Sequence, residues 1–242
     1  MPASGLSTYR EGSLHAALKA IYAGPHDRVE ERVGGFIVDV ARADELIEIQ
    51  TGSFESAARK IRRLVGDHRM LLVHPVAVER WLIHVDSDGA IVARRRSPRR
   101  GTALDLFEEL VAFPELVAEP NFDLELALIR EEEIRGPIEE GKRYRYPRTW
   151  RRLDRRLIEV VGLVRVSSPG DLLGLLPPLP DQFTSADIAA ATGCTKRLSM
   201  RAAYCLQKAG ASTCIGRLGR MQLYRAAVPA GVAAAVEQVT GQ

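Results

Sequence analysis

The sequence predicts an α/β fold, in which a mixed sheet carries helices on its faces, followed by a smaller C-terminal unit. The main observation is that segments with helical and strand-like spacing of apolar residues alternate through the first half of the chain. A second observation is the proline-rich stretch LLPPLPDQFT, beyond which the pattern changes. The 242 residues, 46% of them hydrophobic, suffice for one large domain or two ordinary ones.

The first half of the chain is predicted to run as helix, three strands, helix and strand. The segment SLHAALKAIYAG has the apolar spacing of a helix. The short strands RVEERV, FIVDVAR and LIEIQTG follow it, separated by Gly34-Gly35 and by a turn at 43–45. An amphipathic helix, FESAARKIRRL, leads to RMLLVHPV, whose continuous apolar run is typical of a buried strand. A hairpin around Asp88-Gly89 ends this part.

The middle of the chain adds two predicted strands, FDLELALIREEEI and RRLIEVVGLVRV, after a helix that ends before Pro114. Between the strands lies a basic segment with Tyr144, Tyr146 and Trp150. Such a segment is compatible with stacking on unpaired bases and equally with a linker whose aromatic residues pack on the core. The predicted units are an α/β core at 1–100, a middle extension with the basic aromatic segment at 101–176, and a C-terminal unit at 182–230.

Polar residues interrupt two neighbouring predicted strands. Residues two apart in a strand share a face, so Leu46, Glu48 and Gln50 point the same way. A hairpin that turns at 43–45 places Asp39 opposite roughly the position of Glu48, and cross-strand neighbours lie about 5 Å apart. Two carboxylates this close repel each other unless a cation neutralises them, which predicts a site for Mg²⁺ or Mn²⁺. The alternative is a generic mixed sheet in which Glu48 and Gln50 face solvent.

The pattern VDV…LIEIQTG, set in this order of helices and strands, resembles the PD-(D/E)XK nuclease superfamily over about residues 10–90. That family has an Asp, a turn, and then Glu-X-Lys on the next strand. The resemblance implies a restriction-endonuclease-like core with metal ligands at Asp39 and Glu48, and metal-assisted hydrolysis of phosphodiesters. An earlier glutamate often completes the family's site. The candidates for it are Glu30, Glu31 and Glu11.

Gln50 stands where the family has its lysine. Glutamine can hold a water by hydrogen bonding but carries no charge. Lys60, on the following predicted helix, is the candidate to reach back and supply the charge, so the implied catalytic set is Asp39, Glu48, Gln50 and Lys60. Two outcomes stay open, an active metal-dependent nuclease with a relocated lysine, or an inactive nuclease-like fold that binds DNA as a regulator or adaptor.

The C-terminal segment, a helix, a glycine turn, a second helix and a hairpin, resembles a winged helix-turn-helix. Cations on the second helix suit the DNA major groove, and cations at the hairpin tip suit the DNA backbone. The predicted DNA-binding residues are Lys196, Arg197, Arg201, Arg217 and Arg220. The alternative is a module that binds a protein partner. The combination of units is similar to an uncharacterised bacterial group with a nuclease-like domain followed by a winged helix.

Charge and motif content narrow the function further. The net charge is only +3, but the basic runs RRRSPRR and KRYRYPRTWRRLDRR favour an anionic partner. Phosphate-loop, dinucleotide and hydrolase-elbow motifs are absent. Cys194, Cys205 and Cys214 lack the spacing of a zinc site and are predicted to be buried thiols. Neither a secretory signal nor a membrane-spanning run is evident, so we expect a cytoplasmic protein. A homodimer is compatible with the nuclease resemblance.

Overall fold

A computed structural model of the protein describes residues 12–138, 150–227 and 236–237. Within these ranges the chain forms a large mixed sheet with helices on its faces and a second, three-stranded sheet. The α/β class predicted from the sequence is therefore confirmed. No helix in the described ranges is long and apolar enough to cross a membrane.

The elements of the described residues are numbered in chain order. The strands are β1 (Arg28–Val33), β2 (Phe36–Ala41), β3 (Leu46–Ile49), β4 (Met70–Val85), β5 (Ile91–Arg96), β6 (Phe122–Pro137), β7 (Trp150–Val166), β8 (Gln182–Phe183), β9 (Ser212–Leu218), β10 (Met221–Ala226) and β11 (Val236–Glu237). The α-helices are α1 (Ser13–Tyr22), α2 (Ala58–Leu64), α3 (Leu106–Glu109), α4 (Pro169–Gly174), α5 (Ser185–Thr192) and α6 (Lys196–Lys208). Short 3-10 helices cover Phe54–Ser56, Ala103–Asp105, Leu110–Ala112 and Pro114–Ala118.

The larger sheet has the strand order β1-β2-β3-β4-β6-β7-β11, and β5 pairs with β4 beyond the end of β3. β4 is parallel to both β3 and β6, whereas the other neighbouring pairs are antiparallel. Two parallel neighbours need a crossover connection, and α2 provides it between β3 and β4. The predicted order of helix, three strands, helix and strand is the order observed.

β4 is longer than the sequence predicts. The sequence indicates a strand at 69–76 and a separate hairpin, whereas one strand continues through Pro75 into the hairpin. β3 ends opposite Val73, and β5 pairs with β4 only from Trp81 onward. Among the described residues, one edge of β4 therefore has no strand neighbour around Pro75. Proline is tolerated there because no ladder hydrogen bond is lost on an open edge.

The middle of the chain belongs to the same sheet. β6 and β7 lie in the segment predicted as an extension, and β6 pairs along most of β4. The helix predicted before Pro114 is instead α3 flanked by 3-10 helices, because Phe113 leaves the helical conformation and Pro114 begins a new turn. Trp150 opens β7 and stacks on His84, with ring centroids 4.4 Å apart. Tyr144 and Tyr146 lie outside the described residues.

The two faces of the sheet bury separate hydrophobic clusters. α1 covers one face, on which Leu14 and Leu18 pack with Ile47 and Ile49. α2 and α3 cover the other face, and this cluster continues into α5 and α6 of the C-terminal unit. Burial of each large apolar side chain contributes about 1.5–3 kcal/mol, so a continuous cluster couples the parts that share it. The C-terminal unit is therefore packed against the sheet domain, which the proline-rich boundary did not indicate.

Local signals explain where the C-terminal helices begin and end. Thr184 is the N-cap residue of α5, and its side chain and that of Asp187 form a reciprocal capping box. Gly193 ends α5 with φ +68°, a left-handed conformation that glycine adopts without steric cost. Thr195 caps α6 by accepting a hydrogen bond from the Leu198 amide. β9 and β10 then form the hairpin, and β8 pairs with β10. The helices and hairpin predicted in this segment are all present.

Candidate functional site

Asp39 lies where β2 and β3 diverge. The two strands pair at Val40–Ile47 and Ala41–Leu46, a register that places Asp39 opposite Glu48 at the next position. At this point Asp39 Oδ2 accepts a hydrogen bond of 2.7 Å from the Ile49 amide. The Asp39 carboxylate therefore lies in the opening between β2 and β3, close to the position that the predicted hairpin gives it.

Glu48 is buried on the face of the sheet that α2 covers. It is 6% exposed, shares its face with Leu46, and forms an ion pair with Lys60 Nζ. Lys60 Nζ also donates a hydrogen bond of 2.9 Å to the backbone carbonyl of Ile37 on β2. The solvent-facing alternative for Glu48 is wrong, because β3 lies between two strands and beneath a helix. Lys60 thus reaches back from α2 to the Glu48 carboxylate, and its catalytic role stays a prediction.

The two carboxyl groups differ in their affinity for protons. Burial opposes ionisation of Asp39, but hydrogen bonds from His15 and from the Ile49 amide outweigh it and lower the pKa of Asp39 below its ordinary value. Burial, and then the nearby Asp39 charge, raise the pKa of Glu48 to about 7, although Lys60 acts in the opposite direction. Perturbed carboxyl groups of this kind are enriched at functional sites. Asp39 is thus held ionised, and Glu48 titrates near neutrality.

Gln50 is placed differently from its predicted role beside the carboxylates. Its Nε2 donates to the Ser53 carbonyl at 2.7 Å and to Ser56 Oγ at 3.0 Å. The amide therefore holds the turn that follows β3. The backbone carbonyl of Gln50 accepts a hydrogen bond of 2.7 Å from His74 Nδ1. The sequence predicts that Gln50 orients a water beside the carboxylates. Because its amide nitrogen is bound to Ser53 and Ser56, the geometry favours a role in stabilising the turn instead.

The candidates for a third metal ligand have other positions. Glu30 forms an ion pair of 2.7 Å with Lys19 on α1 and adopts a positive φ of +56°. Glu31 lies 3.5 Å from Arg28 on the same strand, and Glu11 is outside the described residues. Among the described residues, no group of three His, Cys, Asp or Glu side chains is arranged to hold an ion. Glu30 therefore does not complete a three-ligand site with Asp39 and Glu48.

His15 is a residue of the site that sequence reasoning missed. Its Nε2 lies 3.2 Å from Asp39 Oδ2, and the ionised carboxylate accepts the hydrogen bond. The helical phase of α1 indicates only that His15 lies near the face that packs on the sheet, because His15 follows the buried Leu14. The sequence does not indicate which strand α1 covers, so that signal alone did not place His15 beside Asp39.

The donor set of the site fits a hard divalent cation. Glu48 Oε2 is buried and has no hydrogen-bond partner among the described residues, and the Asp39 carboxylate is near enough for its charge to raise the pKa of Glu48. Mg²⁺ is bound in proteins by one or two carboxylates and several waters, and Mn²⁺ accepts the same oxygen ligands. Asp39 and Glu48 would therefore hold the ion, with water completing its coordination.

Comparison with known proteins places the chain in a family. Residues 12–167 match the family described as "Domain of unknown function (DUF8091)". The chain belongs to the DUF8091 family. The matched range contains the whole of the Asp39, Glu48 and Lys60 site. A protein of Treponema pallidum (strain Nichols) described as "Uncharacterized protein" is 30% identical over 228 residues, which cover 93% of this chain and 88% of the relative. No solved structure matches.

The cations predicted to bind DNA lie beyond the DUF8091 match and fall into two groups. Arg197 and Arg201 on α6 both form ion pairs with Glu108 of α3, and Arg201 also donates to the Glu108 carbonyl. The second group is exposed and carries no ion pair within the described parts of the chain. Its members are Lys196, Arg217 and Arg220. The packing of α6 on α3 explains why a helical-wheel argument did not separate the two groups.

Proposed function

We propose that the protein is a metal-dependent nuclease that hydrolyses phosphodiester bonds in DNA. The observation that carries the proposal is the meeting of Asp39, Glu48 and Lys60 where β2 and β3 diverge. A core of the PD-(D/E)XK, restriction-endonuclease-like type is supported by the order of helices and strands, and by an Asp and a Glu on adjacent strands beside the second helix. Two carboxylates and one lysine are the groups that such chemistry needs.

Each residue of the site has a separate task in this proposal. Asp39 and Glu48 would hold Mg²⁺ or Mn²⁺ through carboxylate oxygens. A bound ion would lower the pKa of a coordinated water and offset phosphoryl charge. Lys60 balances the Glu48 charge in the buried site and stabilises negative charge on the substrate, the part that the family's Glu-X-Lys lysine plays. His15 keeps the Asp39 carboxylate oriented toward the opening between the strands.

The C-terminal unit supplies DNA affinity in this proposal. The order of two helices and a hairpin supports a winged helix-turn-helix, and the exposed cations are suited to phosphate contacts. Lys196 lies at the first position of α6, and Arg217 and Arg220 lie at the tip of the β9–β10 hairpin. Arg197 and Arg201 first have to leave Glu108 before they can reach DNA, so we assign them to the contact between α6 and α3.

A second candidate function is an inactive nuclease-like protein that binds DNA as a regulator or adaptor. The specific observation in its favour is Gln50, which replaces the family's lysine and whose amide nitrogen is engaged by Ser53 and Ser56. The ion pair of Lys60 with Glu48 also satisfies a charge that would otherwise attract a cation. The two candidates differ only in whether the DNA is cut.

A cleavage assay distinguishes the two candidates. Plasmid, linear double-stranded and single-stranded DNA are incubated with the protein in Mg²⁺, in Mn²⁺ and in EDTA. We expect cleavage in Mn²⁺ or Mg²⁺, and a loss of about a hundredfold or more in rate for Asp39→Asn and Glu48→Gln, because each removes a metal ligand. Asp44→Asn is the matched control, since Asp44 is an exposed carboxylate in the same β2–β3 hairpin.

The variants also test the assignment of Lys60. Lys60→Ala is expected to lose cleavage while DNA affinity in EDTA stays at the wild-type value. Equal cleavage by wild type and Asp39→Asn would overturn the proposed nuclease site. DNA binding without cleavage in any metal would favour the adaptor. Absence of DNA affinity at low salt would favour a protein-binding module, because phosphate contacts are strongest under that condition.

A further inference from the structure

A cavity lies in the gap between the end of β3 and the start of β5. The cavity has a volume of about 340 Å³ and is bordered by the turn at 51–53 and by the open edge of β4. Gly101 closes one side, since its amide donates to the Ala77 carbonyl at 2.7 Å. A Cβ at Gly101 would lie 2.8 Å from that carbonyl oxygen, so only glycine lets the 97–102 loop approach β4 this closely.

Four arginines line this cavity, and two of them are held rigidly. Arg155 Nε donates to Glu131 at 2.8 Å, and its Nη1 donates to the Thr51 carbonyl at 3.1 Å. Arg80 Nε donates to the other oxygen of Glu131 at 2.5 Å. Glu131 is 0% exposed, so one fully buried carboxylate orients two guanidinium groups from beneath the cavity. Burial of these charges costs desolvation energy, and the attraction within the ion pairs offsets that energy only while their geometry is maintained.

The other two arginines, Arg99 and Arg152, border the same cavity without a carboxylate partner. Both are exposed, and neither forms an ion pair within the described parts of the chain. Three carboxylates also line the cavity. Glu108 is paired with Arg197 and Arg201, whereas Asp105 and Glu109 accept hydrogen bonds from the Thr102 and Phe54 amides and form no ion pair within the described parts of the chain. The guanidinium groups of Arg99 and Arg152 are therefore available to a ligand.

We propose that this cavity binds a phosphomonoester. A phosphomonoester carries about −1.5 to −2 charges at neutral pH and three acceptor oxygens, and planar guanidinium groups bind it bidentately. Arg80 and Arg155 form the fixed part of the site, and Arg99 and Arg152 complete it from the rim. A phosphate occupies the space of only a few waters of about 30 Å³ each, so the cavity has room for the nucleoside that carries it.

The phosphomonoester can come from a free nucleotide or from the terminal phosphate of a nucleic-acid strand. Thr51 lines the cavity, and its Cα lies within about 10 Å of the Cα of Glu48 because they are three positions apart, so a strand end held here would lie near the carboxylate site. In that role the cavity would select substrates with a phosphorylated end, a refinement that rests on the proposed nuclease function. The binding of a phosphomonoester does not depend on cleavage, and the two can be tested separately.

The test measures binding in EDTA, where cleavage cannot interfere. Fluorescence anisotropy compares three forms of one oligonucleotide, carrying a 5′-phosphate, a 3′-phosphate or only hydroxyl ends, at a fixed salt concentration. Calorimetric titration with inorganic phosphate and with a nucleoside monophosphate tests the free sources. The variants are Arg99→Gln, Arg152→Gln and the double variant. Arg100→Gln is the matched control, since Arg100 is an exposed neighbour in the same loop that does not line the cavity.

We expect one phosphorylated oligonucleotide to bind about tenfold or more tightly than the hydroxyl form. The double variant is expected to lose this preference, and Arg100→Gln to keep it. Binding of phosphate or nucleotide that the double variant abolishes, without a preference for phosphorylated ends, would support the site and overturn the strand end as its source. Equal binding of all oligonucleotides and no binding of phosphate or nucleotide would overturn the site.

The outcomes also separate this inference from the proposed nuclease. A phosphate preference in a protein that cuts no DNA in any metal would leave the phosphomonoester site standing and remove the nuclease. Conversely, metal-dependent cleavage with identical affinity for phosphorylated and hydroxyl ends, and without binding of phosphate or nucleotide, would leave the nuclease standing and overturn the phosphomonoester site. If Arg100→Gln weakens binding as much as the double variant does, the cavity is only part of a general basic surface, and the site is overturned.

Discussion

Glu48 shows how the setting of one side chain changes its chemistry. Its strand lies between two others, and α2 covers its face, so water reaches the carboxylate poorly. Lys60 satisfies one carboxylate oxygen, and the other has no partner among the described residues. Keeping such a group ionised lowers stability, and a bound cation would offset the loss. A site that costs stability in the metal-free protein is typical of residues that serve function.

The titration of Glu48 should make the free energy of unfolding depend on pH. Its pKa of about 7 in the folded protein exceeds the ordinary value of 4.5, so the folded state binds the proton more tightly than the unfolded chain does. The free energy of unfolding of the wild type should therefore fall, relative to Glu48→Gln, by about 3 kcal/mol as the pH rises from about 4.5 to above 7.

Urea unfolding of both proteins in EDTA, at about pH 4.5, 6 and 8, measures this difference. The comparison isolates Glu48 because every other titrating group is present in both proteins. Added Mg²⁺ at the highest pH should stabilise the wild type and leave Glu48→Gln unchanged. A difference in unfolding free energy that does not vary with pH would show that the pKa of Glu48 is the same in the folded and unfolded states.

The three cysteines should differ in reactivity. Cys205 lies on the buried face of α6, and burial raises the pKa of its thiol to about 12. Cys194 and Cys214 are partly exposed. Because only the thiolate reacts, a thiol reagent at about pH 8 should label Cys194 and Cys214 in the folded protein and Cys205 only after unfolding. Mass spectrometry of labelled peptides checks this, and rapid labelling of Cys205 in the folded protein would contradict its placement.

At the scale of elements, the site depends on where β3 ends and how α2 begins. β3 is short, and the chain turns at 51–53 before the 3-10 helix Phe54–Ser56 and α2. Ser53 caps this 3-10 helix by accepting a hydrogen bond from the Glu55 amide. The turn sets the position of α2 and hence of Lys60. It also forms one border of the arginine-lined cavity.

Gln50 should therefore act mainly on the stability of this turn. Gln50→Ala removes the hydrogen bonds to Ser53 and Ser56 and should lower the free energy of unfolding by about 1–2 kcal/mol. Ser56→Ala removes one of the same bonds, so the double variant should lose less than the sum of the single losses. A double-mutant cycle by urea unfolding measures this.

Cleavage by the same variants separates the roles of Gln50 and Lys60. Gln50→Ala should retain more cleavage than Lys60→Ala, because the amide of Gln50 is directed at the turn and Lys60 contacts the carboxylate. If Gln50→Ala lost more cleavage than Lys60→Ala, the result would support the water-orienting role that the sequence predicts for Gln50.

On the scale of the whole molecule, one buried cluster joins the sheet domain to the C-terminal unit. Leu72 and Leu124 of the sheet belong to the same cluster as Ile188 of α5 and Leu206 of α6. The ion pairs of Glu108 with Arg197 and Arg201 add polar contacts at the same junction. Units that share a core cannot separate without exposing apolar surface, which favours a single cooperative unfolding transition.

Calorimetry should therefore show one transition for the intact protein, with equal calorimetric and van't Hoff enthalpies. Glu108→Ala should shift that transition to lower temperature without splitting it, since the apolar contacts remain. Glu115→Ala is a matched control, because Glu115 forms its ion pair with Arg62 on α2 and touches neither arginine of α6. Two well-separated transitions would show that the C-terminal unit is an independent, tethered domain.

Much of the site is determined by local sequence. Strand periodicity places Glu48 on the face of Leu46, and the short hairpin brings Asp39 opposite Glu48; both follow from the period of two and from the length of the turn. The order of elements follows likewise from apolar spacing and from glycine and proline positions. These features depend on residues within a few positions of one another, so one sequence suffices to predict them.

Only the tertiary structure decided the features that depend on distant segments. His15 reaches Asp39 because α1 packs across β3, and Gln50 turns to Ser56 because the turn closes on itself. The arginine-lined cavity exists because β4 extends past β3 and because β6 and β7 bring Glu131 and Arg155 beneath it. The packing energy of helices on the sheet, summed over the whole chain, sets these contacts, and a local pattern of residues does not contain it.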